Sequence, residues 1–351
     1  MSFRVGRFAK ARWRAGKRIY RRHIAKHRRA VVVGLLVLVV GGLVLARIPA
    51  RHSERPPGSD AARPVATPVF PGEPVAAPEM PAQPPRPTEE AALRPPPALP
   101  PPPAVKPAWL RYAVPAQPTG NRPLVAIVFD DLGLDRGRSA EAIRLRGPLT
   151  MSFMTYANDL GEQSEAARRA GHELFLHVPM EAIDRHADPG PRGLFTALAR
   201  EENLARLRWG LGRLAGFVGI NNHMGSKFTS DAHSMTPVME ELRARGLVFL
   251  DSRTSPSSAG IRLAVAYGVP HAARDVFLDD DQAPTAIAKQ LARLEQVARQ
   301  QGSAIAIGHP HDATIAALRA WLPQVAGKGL ALVPVSAVVR HRMTEEGEAR
   351  R

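Results

Sequence analysis

After residue 122 the hydrophobic positions fall into short continuous runs separated by stretches with helical spacing. The runs are residues 124–129, 149–154, 173–176, 217–220, 247–250, 276–278, 304–307 and 330–335. Short, mostly aliphatic runs of this kind are expected of strands buried on both faces. Between them, Leu204, Leu207, Leu211 and Leu214 share one helical face, as do Ile287, Leu291, Leu294 and Val297. Thr236 followed by Pro237 predicts a helix start. Regular alternation of strand and helix requires parallel strands joined by right-handed crossovers, so the pattern predicts an α/β barrel or a doubly wound sheet over residues 122–340.

Polar residues cluster where the runs stop. The first run ends on two adjacent acids, Asp130 and Asp131; His177 follows the third, Asn221, Asn222 and His223 the fourth, Asp251 and Arg253 the fifth, and His309 and His311 the seventh. In a parallel barrel these carboxyl ends converge on one face, where active sites are built. Two neighbouring carboxylates at the end of a buried strand cost free energy unless a cation, a shared proton or good donors offset it. The alternative is a turn in which Asp130 and Asp131 cap the next helix. The run Asp279, Asp280, Asp281 reads instead as a solvated loop and helix cap.

The N-terminal third has a different texture. Residues 1–29 hold twelve of the 48 lysines and arginines and no acid, so +12 of the net +16 sits there and +4 remains elsewhere. The basic charge therefore belongs to a tail, and no nucleic-acid partner is expected. Residues 30–46 are uncharged and apolar, with Arg47 next. This segment predicts an uncleaved signal anchor crossing the inner membrane once, with residues 1–29 cytoplasmic and the remainder periplasmic. From 56 to 118, 21 of 63 residues are proline. Such a segment forms neither helix nor sheet interior, and 47–121 is read as an extended tether with an upper reach on the order of 200 Å. Residues 341–351 are read as a tail. The chain has no cysteine, which excludes disulfides and thiolate chemistry.

Carboxylate and imidazole without thiolate select a hard or borderline divalent metal, zinc first. Asp131, His177 and His223 together make a three-ligand site with an open position, and a divalent ion there acidifies water enough to serve as a nucleophile. His186, His233 and His271 are assigned no role. Glu181, Asn222, Asp251, Arg253 and His311 are supporting candidates. Asp251 can either pair with Arg253 to hold loops or orient His177 or His309. Tyr156, Trp209, Tyr267 and Trp321 supply all the Tyr and Trp of the barrel span, too few for a long sugar-stacking platform.

Five motifs, FDDLG, HELFLHVPME, INNHMGSKFT, FLDSRTS and IGHPH, occur in an order that resembles the divergent polysaccharide deacetylase family of bacterial envelopes. The stretch GHELFLH is similar to the third-strand motif of chitooligosaccharide-type deacetylases, in which Gly-His-Glu precedes a metal-binding His. The resemblance spans about residues 122–340. It implies a distorted (β/α) barrel of seven to eight mostly parallel strands and an N-deacetylase ancestry. It puts Asp130 in the place of the general base, Asp131 and His177 in those of metal ligands, and His309 in that of the acid that protonates the leaving amine.

Three departures accompany it. The second His, four residues after the first, is Glu181; Leu132 separates Asp131 from Gly133; and Asn222-His223-Met224-Gly225 replaces Arg-x-Pro-Tyr. Either His223 supplies the missing ligand from another strand, or the catalytic apparatus is altered. Two readings follow: a metal-dependent hydrolase cleaving the C–N amide bond of an N-acetylated cell-envelope glycan or oligosaccharide, or a non-catalytic glycan- or protein-binding module that keeps the fold.

Overall fold

The computed structural model describes residues 106–349; the basic tail, the apolar segment 30–46 and most of the proline-rich stretch lie outside the described residues. Among the described residues no helix is long and apolar enough to cross a membrane. The strands are β1 (Leu124–Leu132), β2 (Thr150–Met154), β3 (Glu173–Met180), β4 (Gly219–Met224), β5 (Val248–Asp251), β6 (His271–Ala273), β7 (Val276–Phe277), β8 (Ser303–Gly308) and β9 (Ala331–Leu332). They form one sheet in the order β6-β5-β4-β3-β2-β1-β8-β7, with β9 also paired to β1, and every pairing is parallel. The result is a curled, open half-barrel wrapped by helices, the distorted barrel of mostly parallel strands expected.

The helices are α1 (Ala108–Arg111), α2 (Arg136–Ile143), α3 (Leu160–Arg169), α4 (Arg200–Leu211), α5 (Ala232–Arg245), α6 (Gly260–Tyr267), α7 (Pro284–Gln301), α8 (Asp312–Trp321) and α9 (Val335–Ala349). Leu207 and Leu211 of α4, and Ile287, Leu291 and Leu294 of α7, are buried as their spacing predicts. The start of α5 differs from expectation. Asp231 caps it, accepting the Ser234 N–H at 2.7 Å, and Thr236 and Pro237 fall inside the helix. An aspartate cap satisfies one of the otherwise orphaned N–H groups of the first turn, which outweighs the backbone bond that Pro237 removes.

Strand alternation sorts the core into two clusters. Val125, Ile127 and Phe129 of β1, Leu174 and Leu176 of β3, and Ala304 and Ala306 of β8 pack in the larger cluster with Leu207 of α4 and Leu291 and Leu294 of α7. Leu124, Ala126 and Val128, with Phe175, Val218, Val248, Leu250, Ile305 and Ile307, face the other way and meet Val335, Val338 and Val339 of α9. Continuing this second face along each strand leads to Asp130, His177 and His309, so the side that packs apolar at one end carries the polar residues at the other.

Two boundaries of the sequence reading shift. Trp109, in the stretch read as tether, is buried in the smaller cluster, and its backbone N–H donates to Gly246 O at 2.9 Å. The stretch read as a tail begins inside α9. A fragment meant to carry the whole barrel must therefore start near residue 106 rather than 122.

At the opposite end of the inner face from Asp130, Glu173 is fully buried without an ion-pair partner among the described residues. Its carboxyl accepts from Ser336 N (3.0 Å) and from the hydroxyls of Ser336 and Thr150, and so anchors the start of α9. Burial pushes its pKa from 4.5 up to about 7 against the pull of those donors. The folded state thus holds this proton more tightly than the unfolded one, and the group's contribution to stability declines as pH rises from 4.5 through 7, then levels off. The loss is on the order of 3 kcal/mol. Denaturant titrations at pH 5 and pH 8 should show Glu173→Gln losing less stability than wild type over that interval; equal losses would refute the assignment.

Candidate metal centre and active site

Regular alternation would send Asp130 and Asp131 to opposite faces of β1. The register with β2 shifts between Phe129 and Leu132, and Asp131 takes a left-handed conformation at φ +57. This bulge turns both carboxylates toward one point and returns Leu132 to the larger hydrophobic cluster. The residue that departs from the family's Asp-Asp-Gly spacing is therefore a core residue, and Gly133, at φ +98, makes the turn with no room for a Cβ beside Ala157. Met224 and Arg253, at the ends of β4 and β5, are also left-handed, so backbone strain collects where the strands converge.

His177 is the pivot. Its Nε2 lies 3.5 Å from Asp130 Oδ2 and 3.4 Å from Asp131 Oδ1, and its Nδ1 lies 2.9 Å from Asn221 Oδ1. Asn221 is opposite it in the β3–β4 register. The Asn221 amide donates from Nδ2 to both oxygens of Asp130 at 2.8 and 3.0 Å, which leaves its Oδ1 as the acceptor for Ser152 Oγ (2.6 Å) and for His177 Nδ1–H. Burial opposes a charge on His177, yet Asp130 and Asp131 raise its pKa; in the neutral form that ligation requires, the Asn221 contact holds the Nε2 lone pair facing the two carboxylates. Two residues beyond Asn221 on the same face, His223 places Nδ1 2.8 Å from Asp131 Oδ1.

These groups fit a cation. Asp131 Oδ1 is buried and lacks a well-aligned hydrogen bond despite the short approach of His223, and imidazole nitrogens converge on it. Asp131, His177 and His223 each present a ligand atom within 4.8 Å of the others. Lone pairs from two imidazoles and a carboxylate share such a space only with a proton or a metal ion among them. One carboxylate and two imidazoles with no sulfur are the donors of open divalent sites, zinc included. Burial works to raise the Asp131 pKa, but contact with His177 and His223 and their charge hold its carboxyl well below the usual carboxylate range.

The flanking groups are of opposite kinds. Burial raises the pKa of Asp130, only partly offset by His177, His309 and the Asn221 donor, which makes it a stronger base than an ordinary aspartate. His309 follows β8 with its Nε2 3.9 Å from Asp131 Oδ2. Its Nδ1 bonds Asp279 Oδ1 at 3.0 Å, while Asp279 Oδ2 accepts the His309 N–H and the Thr314 hydroxyl. Burial opposes its charge, yet the Asp279 bond and the charges of Asp130, Asp279 and Asp131 raise its pKa to about 9. A base and a protonated acid thus flank the metal-ligand cluster.

The supporting candidates part company. Glu181 lies outside the cluster: its carboxylate pairs with Lys227 at 2.7 Å and accepts from Thr196, tying loops together. Asn222 points to the other face of β4, where it bonds Met224 O, Thr254 and Ser252 N. Asp251 shares the outward face of Phe249; it accepts the Arg253 backbone N–H and the Ser258 hydroxyl, and orients neither histidine. The Asp251–Arg253 side-chain pair is absent, since the bond runs to the backbone. His311 joins Asp279 and His309 in a second possible ligand group, its ring 5.7 Å from that of His309.

Three residues of the site are given no role in it by the sequence alone. Asn221 and Ser152 carry no chemistry alone and gain it by inward alternation. Asp279 was expected to be solvated with Asp280 and Asp281, yet it is buried while those two are exposed. The apolar run immediately before it is the signal that could have separated it.

The chain matches the divergent polysaccharide deacetylase family over residues 127–339. It is 34% identical over 196 residues to the uncharacterized protein YibQ of Escherichia coli (strain K12), covering 56% of this chain and 61% of that protein. To an uncharacterized protein of Haemophilus influenzae it is 32% identical over 199 residues, covering 56% of this chain and 70% of the relative. A crystal structure of an uncharacterized protein from Agrobacterium tumefaciens C58 superposes with a TM-score of 0.64 at 33% identity, over 66% of this chain and 94% of that one. The matched stretch spans about three fifths of the length of the Escherichia coli relative. Since the family match takes in more than half of the sequence and every strand from the acidic end of β1 to β9, the chain belongs to the divergent polysaccharide deacetylase family.

Proposed function

We propose that this protein is a metal-dependent hydrolase that removes acetyl groups from N-acetylated carbohydrate of the bacterial cell envelope. The observation that carries this reading is the convergence of two imidazoles on the buried Asp131 Oδ1, which has no well-aligned hydrogen bond, with a base on one side and a protonated acid on the other. Asp131, His177 and His223 would hold the ion. When bound, a divalent ion supplies Lewis acidity that polarises an amide carbonyl and acidifies water. Asp130, gripped by the Asn221 amide, takes the proton from the attacking water. His309 gives its Nε2 proton to the departing amine while Asp279 steadies the ring through Nδ1.

Acetate release from N-acetylated oligosaccharides by the metal-reconstituted protein tests this reading. Release that needs both metal and Asp130 is the expected result. A metal-loaded protein that binds such saccharides without releasing acetate would instead support the binding module.

We also place the barrel in the periplasm, tethered to the inner membrane through residues 30–46, because the flanking charge is 12 to 1 in favour of a cytoplasmic N-terminus, counting residues 1–29 against Arg47. A topology reporter fused after Arg351 should report export. A cytoplasmic signal would remove the envelope as the source of substrate.

A further inference from the structure

Few aromatic faces are free to stack on a sugar: Tyr267 and Trp321 are buried, the guanidiniums of Arg192 and Arg213 both lie over the Trp209 ring, and Gly190 packs against the half-buried Tyr156 ring. Polar groups around the centre therefore gain weight in recognition, and two arginines stand out. Arg274, between β6 and β7, donates from Nε to Ser252 O (2.7 Å) and from Nη2 to Arg253 O (3.0 Å). Its guanidinium lies 4.8 Å over the ring of Phe277, which meets the His309 ring edge-on at 5.6 Å. Its Nη1 makes no hydrogen bond among the described residues.

Arg253 is exposed at the end of β5, on a backbone held left-handed at φ +50. That backbone is pinned on both sides, its N–H by Asp251 Oδ1 at 2.8 Å and its carbonyl by Arg274. No carboxylate pairs with either guanidinium among the described residues. Burial disfavours the Arg274 charge and Arg253 adds to this, while Asp130, Asp251 and Asp280 favour it without pairing with it. The exposed Arg253 guanidinium and the free Nη1 of Arg274, which packs on Phe277 beside His309, leave unpaired donors for an oxyanion on this side of the centre.

We propose that Arg253 and Arg274 form an oxyanion subsite that selects N-acetylated saccharides bearing a carboxylate near the scissile amide. This deepens the deacetylase reading and rests on it for the position of the amide. A phosphate ester offers the same oxyanion chemistry, but a planar carboxylate matches the guanidinium fork in bidentate fashion.

The test compares three probes on the metal-reconstituted full-length chain: an N-acetylated disaccharide with one carboxylate, its methyl ester, and an N-acetylated sugar phosphate. Binding is read by calorimetry and turnover separately by acetate release. The acid should bind about tenfold tighter than its ester. That preference should vanish in Arg253→Gln and return in part in Arg253→Lys, which keeps the charge and loses the fork. Tighter binding of the phosphate than of the acid would keep the subsite and overturn the carboxylate assignment. Equal binding of acid and ester by wild type would overturn the subsite, whatever the variants do. A protein that prefers the acid yet releases no acetate keeps the subsite and loses the deacetylase reading; one that releases acetate without preference does the reverse.

Discussion

Replacing His177 with alanine should strip the protein of nearly all tightly bound divalent metal. Its Nε2 faces Asp131 with the proton fixed on Nδ1 by Asn221, so the substitution removes a donor already oriented for the ion. Loss of a group that only orients a ligand costs about 10- to 100-fold in affinity, and loss of the ligand itself costs more. Asn221→Ala should therefore fall between wild type and His177→Ala in a competitive metal titration. Equal metal content in wild type and His177→Ala would show that the ion, if bound, sits elsewhere.

Replacing Asp130 with asparagine should leave metal in place and lower kcat by about 100- to 10,000-fold, the usual weight of a positioned base. Asp130 touches Asn221 and His177 and is not one of the three converging ligands, so coordination and turnover separate in this variant. The acid side has its own signature. In the proposed reaction His309 acts as a protonated acid, so activity should fall as pH rises through its pKa of about 9. Asp279→Asn removes the charge and one of the two acceptor oxygens that sustain that value, so the alkaline limb of the kcat profile should move to lower pH. A limb that stays in place would separate Asp279 from the acid function.

The main lines of the barrel are legible in the sequence because its strands are buried on both faces and read as apolar runs. Only β6, three residues long and with a half-buried His271, gives no run to find. The ligand trio is legible for the same reason: a histidine or aspartate directly after such a run has few places to point. Alternation then decides what run-end position alone leaves open. Asp251 and Asn222 occupy strand ends as good as those of His177 and His223, but they fall on the outward parity and brace loops. Asp131 is the instructive exception, since strict alternation would turn it away from Asp130 and only the bulge in β1 brings it back.

Other elements depend on partners distant in sequence. Trp109 is an isolated aromatic in proline-rich surroundings, and its burial requires Gly246 and the start of α9 to be in place. Asp279 belongs to an acidic run whose members separate only once His309 and Thr314 close over the first of them. Glu181 occupies the position of a metal-binding histidine in the wider family, yet the nearby Lys227 and Thr196 claim its carboxylate. His223, from the neighbouring strand, stands where a replacement ligand is needed.

Two ligand groups lie close together in this site, Asp131 with His177 and His223, and Asp279 with His309 and His311. The most direct measurement is the position of the ion in zinc-soaked crystals, found by anomalous scattering at the zinc edge. The account predicts one strong peak bound by Asp131, His177 and His223, with His309 left free to hold its proton against Asp279. A peak on Asp279, His309 and His311 with none at Asp131 would contradict it, because the group assigned as the acid would then be a ligand.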